Sequence, residues 1–362
     1  MQGKICDNLN CTHETRRMNM KMKKLILFGL LLLVVVIGAC GTTVYMICYQ
    51  PNFQVKGKKY IYIYEDNKNF ESLCKVLQDS TDCRHFQLFK ILADYRGYPE
   101  NMKSGRYAIE PGMNNLTLLN RLRLGQQTPV RITFNNVRLM TDLISRLTGQ
   151  LMISEEQLLP LLTDEKLCDS LGFDTTTIKT MFIPNTYEVY WNISAEKLVE
   201  RMKREHDIFW NENRRKKAEE LRLSPVEVSI LASIVEEETA LADEFPVVAG
   251  LYINRLYKGW RLEADPTVKY AIGDFSLRRV LFSHLEVASP YNTYLHEGLP
   301  PGPIRVPSIQ CIDAVLNYTK HNYMFMCAKE DFSGRHNFAV TLSEHNRNAA
   351  KYQAELNKRG IR

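Results

Sequence analysis

Residues 224–240 read Ser-Pro-Val-Glu-Val-Ser-Ile-Leu-Ala-Ser-Ile-Val-Glu-Glu-Glu-Thr-Ala, and this spacing predicts a helix carrying one carboxylate on an apolar face. Ser224 can cap the helix, Pro225 suits its first position, and Glu227 completes a capping box. The pattern is expected to run to about Ala242. Val228, Leu231 and Val235 form an apolar stripe. At about 100° per residue, Glu238 falls within about 20° of Leu231 and about 60° of Val235. Glu236 points nearly the opposite way, alongside Ser229 and Ser233, and Glu236 and Glu237 are expected to be solvated or structural. A carboxyl on an apolar face is desolvated, which raises its pKa toward the range of a general acid. On spacing alone such a glutamate is more often a satisfied structural group than a catalytic one.

Outward from this helix, one of about 246–257 follows, then a loop-rich stretch at 263–307 and a helix at 308–320. A hairpin over 323–340 turns near Ser333-Gly334, and a last helix over 343–358 ends at Gly360. Upstream, 130–134 reads as a strand, 139–147 as a helix, and 150–222 as mostly helical with loops. Residues 53–127 read as a small α/β module: strands at 59–64 and 105–109, helices at 70–77, 86–95 and 115–124, and Gly125 as a C-cap. Residues 126–129 link this module to the part that follows.

Residues 25–48 carry no charge. As a helix they would span about 36 Å, enough for a hydrocarbon core of about 30 Å. Six Lys/Arg precede them: Lys4, Arg16, Arg17, Lys21, Lys23 and Lys24. The basic flank predicts that residues 1–24 are cytoplasmic and that everything after Cys48 is extracytoplasmic. The remainder holds 41 basic and 39 acidic residues, a balance that argues against a nucleic-acid footprint. Nine cysteines show no paired spacing, and free, buried thiols are the expectation. No His-Glu-x-x-His, Cys-x-x-Cys or glycine-rich phosphate loop occurs, so neither metal nor cofactor is expected. His336 and His345 stand too isolated for a metal site, and His345 reads as a satisfied structural histidine.

The stretch Leu231-Ala232-Ser233-Ile234-Val235-Glu236-Glu237-Glu238-Thr239-Ala240 resembles the core motif of the MltG (YceG-like) endolytic murein transglycosylases. Further matching segments follow in family order: Gly250-Leu251-Tyr252-Ile253-Asn254-Arg255-Leu256, Arg261-Leu262-Glu263-Ala264-Asp265-Pro266-Thr267-Val268, Ser289-Pro290-Tyr291-Asn292-Thr293-Tyr294, Gly298-Leu299-Pro300-Pro301-Gly302-Pro303-Ile304, His336-Asn337-Phe338 and Thr341-Leu342-Ser343-Glu344-His345-Asn346. Lys103-Ser104-Gly105-Arg106-Tyr107 resembles the family's LysM-like domain. Ile183-Pro184-Asn185-Thr186-Tyr187 stands where the family shows Phe-Pro-Asp-Thr-Tyr, and Asn135-Asn136-Val137-Arg138 replaces a Glu-Gly turn.

The resemblance implies an α+β chain made of an N-terminal transmembrane helix (25–48), a LysM-like module (53–127) and a YceG-like catalytic domain (128–362). It implies cleavage of the MurNAc–GlcNAc bond of nascent peptidoglycan strands to 1,6-anhydroMurNAc ends, terminating strand elongation, in a single-pass protein of the bacterial inner membrane. Its catalytic glutamate precedes a threonine, which selects Glu238, the residue that the helical face selects by itself. Asp265, Asn292 and Tyr294 are candidates for holding the sugar or its N-acetyl group. Against this, Asn292 could instead fix a turn and Asp265 cap the helix that Pro266 begins. Peptidoglycan synthases (penicillin-binding proteins) are candidate partners. Two other readings compete: a non-catalytic peptidoglycan-binding scaffold, and a muramidase pairing Glu238 with Asp265 or Glu263 and water.

Overall fold

The computed structural model describes residues 3–277 and 279–360, and within residues 3–19 the side chain of Met18 alone. The basic side chains of Lys4, Arg16 and Arg17, part of the expected cytoplasmic flank, therefore lie outside the described residues. The first helix runs Gly3–Cys48. Within Met20–Cys48 an 18-residue window has a mean hydropathy of 2.8 and is not buried against protein. It is long and apolar enough to cross a membrane.

The chain divides into two compact units, residues 1–128 and 129–362. In the first, Pro51–Gln54 is the middle strand of a three-stranded antiparallel sheet with Asp82–Cys83 and Met113–Asn114. These short strands carry no alternation that the sequence makes visible. Lys59–Ile63 pairs antiparallel with Gly105–Ile109, Ile61 opposite Tyr107. Three helices, Phe70–Ser80, Phe86–Tyr95 and Asn115–Leu124, bury Leu77, Phe89 and Leu118 against Phe53 and Tyr107. Gly125 ends the third helix in the left-handed conformation at φ 68°, where a Cβ would cost energy. The buried amide of Asn115 donates to the Ile47 carbonyl at 2.8 Å and accepts from Asn52 at 2.7 Å. The end of the long helix is thereby tied to this unit.

The second unit has two apolar clusters. One packs the strand pair Val130–Thr133 and Thr186–Val189, with Ile132 opposite Tyr187, under helices Met140–Thr148, Glu155–Thr163 and Ala195–Phe209. The strand Thr186–Val189 is absent from the helical reading of 150–222. Only four residues long, it is defined by a partner more than fifty positions away. Asn136, in the turn after the first strand, sits at φ 51°, a conformation that Asn tolerates better than most residues. The second cluster surrounds the helix Pro225–Glu238, with Phe245–Tyr257 and Ile309–Leu316 packed on it.

Three boundaries differ from expectation. The helix from Pro225 stops at Glu238, not near Ala242, because Thr239 is extended at φ −136° and ψ 141°. Asp265–Ile272 forms a helix inside the stretch expected to be loop-rich. The helix expected over 308–320 covers Ile309–Leu316. The hairpin Phe325–Ala328 with His336–Ala339, and the last helix Leu342–Lys358, lie where the pattern places them.

Candidate functional site

The helix that carries Glu238 is anchored at both ends. Ser224 Oγ accepts from the Glu227 N–H at 3.2 Å, and Glu227 accepts from the Ser224 N–H at 2.7 Å. From Val228 to Val235 every residue is buried, Ser229 and Ser233 included. The expected polar face is therefore as dry as the apolar one. The two serines enter the core because each hydroxyl donates to a carbonyl of its own helix, at 2.9 and 2.7 Å. Ser233 Oγ also accepts from the Ile304 N–H at 3.0 Å.

The three glutamates at the helix end have separate surroundings. Glu236 accepts from the Ser308 N–H at 2.7 Å. Glu237 takes a two-pronged bond from Arg138 at 2.9 and 2.8 Å and a third from Arg305 at 2.9 Å. Both are structural rather than solvated. Glu238 accepts from the Tyr252 hydroxyl, and among the described residues no other hydrogen bond reaches it. Burial pushes the Glu238 carboxyl up to about 7; the Tyr252 bond opposes the rise and the Asp265 charge adds to it. Burial, and then the Glu238 charge, hold the Tyr252 hydroxyl well above its ordinary value, so it stays a donor.

Glu238 lines a cleft of about 250 Å³ with Tyr252, Asp265, Tyr294, His336 and the Cys327 segment. Asp265 opens its helix at the first position rather than capping it, since Ala264 occupies the cap. Its carboxylate accepts from the Tyr294 hydroxyl at 2.6 Å. The structure thus brings together three of the four candidate residues. Asn292 is the exception and a correction. It is fully buried, donates to the Leu285 and Val287 carbonyls at 2.8 and 2.9 Å, and accepts from the Tyr294 N–H at 3.0 Å. An amide so occupied cannot also hold a sugar; it fixes the turn that presents Tyr294.

Sequence reasoning missed three groups. Tyr252 stands in a quoted motif, but nothing local marks it as the residue facing Glu238. Arg255 donates to the carbonyls of Met324 and Leu262 at 2.8 and 2.6 Å, joining the hairpin to the loop before Asp265. His336, read as isolated, is held by the buried Glu244. His345 is packed rather than satisfied: it stacks on Phe325 at 5.5 Å, with Nδ1 buried and without a partner among the described residues. A larger hollow of about 770 Å³ lies along Thr186–Val189 and Ala195–Phe209. It holds no desolvated acid, so the chemistry, not the size, makes the Glu238 cleft the candidate site.

The model of the YceG-like family matches residues 62–351. A protein of Bacillus subtilis (strain 168) named endolytic murein transglycosylase is 27% identical over 304 residues, covering 80% of this chain and 83% of its own. One of the same name from Streptococcus pneumoniae (strain ATCC BAA-255 / R6) is 26% identical over 330 residues, covering 82% of this chain but only 59% of its own. A crystal structure of a yceG-like protein from Listeria monocytogenes superposes with a TM-score of 0.54 at 24% identity, over 80% of this chain and 98% of that one. At that identity the likeness speaks for the fold.

Proposed function

We infer function from one premise: this chain belongs to the YceG-like family. We propose that it is an endolytic peptidoglycan lytic transglycosylase, the activity for which its Bacillus and Streptococcus relatives are named. The observation that carries the proposal is a carboxyl in the cleft that burial pushes up to about 7 and that one tyrosine hydroxyl steers.

Such a group can act twice. As an acid, Glu238 protonates the glycosidic oxygen between MurNAc and GlcNAc. As a carboxylate, it then takes the proton of the muramyl C6 hydroxyl while that oxygen closes on C1. The bond to the leaving GlcNAc breaks, the 1,6-anhydro bond forms, and no water is consumed. A pKa near the working pH lets one residue hold and release the proton in turn. The hydroxyl of Tyr252 fixes one carboxyl oxygen and leaves the other to the substrate. Asp265 and Tyr294, bonded to each other, line the sugar site beside it. The muramidase alternative would recruit Asp265 or Glu263, which line the same cleft, to activate water.

In this reading residues 1–24 are cytoplasmic, 25–48 span the inner membrane, 53–127 form a LysM-like module, and 128–362 form the catalytic domain outside it. The basic flank and the Lys103–Tyr107 segment support it. Cleaving nascent strands ends their elongation, and peptidoglycan synthases are the fitting partners. The test uses the full chain in detergent on uncrosslinked glycan strands. Wild type releases short soluble fragments, and Glu238→Gln, folded by circular dichroism, loses the activity by about 10²- to 10⁴-fold. A Glu238→Gln protein that cuts at the wild-type rate refutes the assignment.

A further inference from the structure

We propose that His336, held by the buried carboxylate of Glu244, is a substrate-contacting residue of the Glu238 cleft and accepts a hydrogen bond from a saccharide hydroxyl through Nε2. The proposal rests on the reading of that cleft as a glycan site.

Glu244 is only 5% exposed. Three donors converge on it: the His336 N–H on Oε1 at 2.9 Å, His336 Nδ1 on Oε2 at 2.9 Å, and the Thr239 hydroxyl on Oε2 at 3.1 Å. A carboxylate only accepts, so Nδ1 carries the ring proton. In the neutral imidazole this leaves Nε2 as an acceptor. Among the described residues nothing bonds Nε2, and His336 lines the same cleft as Glu238. An acceptor on a residue that lines a cleft for a polyhydroxylated ligand fits a sugar hydroxyl.

The arrangement also couples this ring to the acid. Thr239 follows Glu238 directly, and its extended backbone ends the helix and aims the glutamate. Its hydroxyl ends on the carboxylate that holds His336. A second tie, Arg335 to Asp243 at 2.7 Å, fixes the hairpin to the same turn. Glu244 is thus a positioning residue with two loads, one at each side of the cleft.

A hairpin clamp alone would need only Nδ1, which makes the two roles separable. His336→Asn keeps a side-chain donor toward Glu244 and deletes Nε2. In the full chain in detergent, on uncrosslinked strands, it should unfold at the wild-type temperature while kcat/KM falls by about tenfold. His336→Gln, which returns an amide oxygen near the Nε2 position, should recover part of the loss. Glu244→Gln combined with His336→Asn should cost little more than the larger single loss, because one acts through the other. Wild-type kcat/KM in His336→Asn overturns the contact, and additive losses overturn the link to Glu244. Strand binding to the Glu238→Gln protein, with and without His336→Asn, reads the contact without turnover; equal affinity contradicts it. A wild-type chain that leaves the strands whole overturns the function proposed above instead, and the binding comparison still decides the contact.

Discussion

At the scale of single residues, Glu238 links stability and activity to pH through one proton. Its folded pKa is about 7, against about 4.3 for an unperturbed glutamate. The acid form is the one that starts the reaction, so kcat/KM should fall as pH rises through about 7. The same shift has a sign for folding. The native state binds this proton more tightly than the unfolded chain, so the stabilisation is complete below about pH 4 and is lost as pH rises through about 7. Glu238→Gln does not titrate. Relative to wild type it should therefore gain stability as pH rises through that window, on the order of 1–3 kcal/mol by pH 8, with no such gain at pH 4. Urea unfolding of both proteins at the two pH values measures this. A difference independent of pH means that the carboxyl is not desolvated in the native state.

At the scale of elements, the end of the buried helix depends on distant residues. Arg305, with an 11% exposed side chain, bonds Glu237 and the Asn136 side chain at 2.9 and 2.8 Å. Arg138 grips Glu237 from the other side. Arg305→Ala leaves adjacent carboxylates short of their cation, and should cost about 3 kcal/mol in urea unfolding; a loss under about 0.5 kcal/mol would place this network among ordinary surface pairs. These partners explain what the sequence reveals and what it hides. The start of the helix is legible because Ser224, Pro225 and Glu227 act within one turn. Its end is not, because Thr239, the extended residue that closes it, bonds the carboxylate of Glu244, which also holds a hairpin some ninety residues on. The helical face singles out Glu238 as the candidate acid, whereas Glu236 and Glu237 are held by the Ser308 N–H and by Arg138 and Arg305, which no local pattern points to. Asn292 failed as a sugar contact for a related reason. A polar residue in a loop reads as available until the carbonyls that consume it are known.

At the scale of the whole chain, two compact units follow one another, the first opening with an apolar helix. In the proposed topology, the charge-free span and its basic flank put the second unit outside the cytoplasm. A periplasmic-type reporter fused after Arg362 should be active and a cytoplasmic reporter silent; the reverse pattern contradicts this topology. The resemblance of the sequence to its family spans both units, since ordered motifs survive where individual elements are ambiguous. The central claim is that one carboxyl closes a 1,6-anhydro ring without water. Its most direct test is the mass of the new muramyl ends released from uncrosslinked glycan strands by the full chain in detergent. The account predicts ends one water lighter than a reducing sugar, absent with Glu238→Gln. Ends with the full mass of a reducing sugar, incorporating oxygen from labelled water, would show hydrolysis and contradict it.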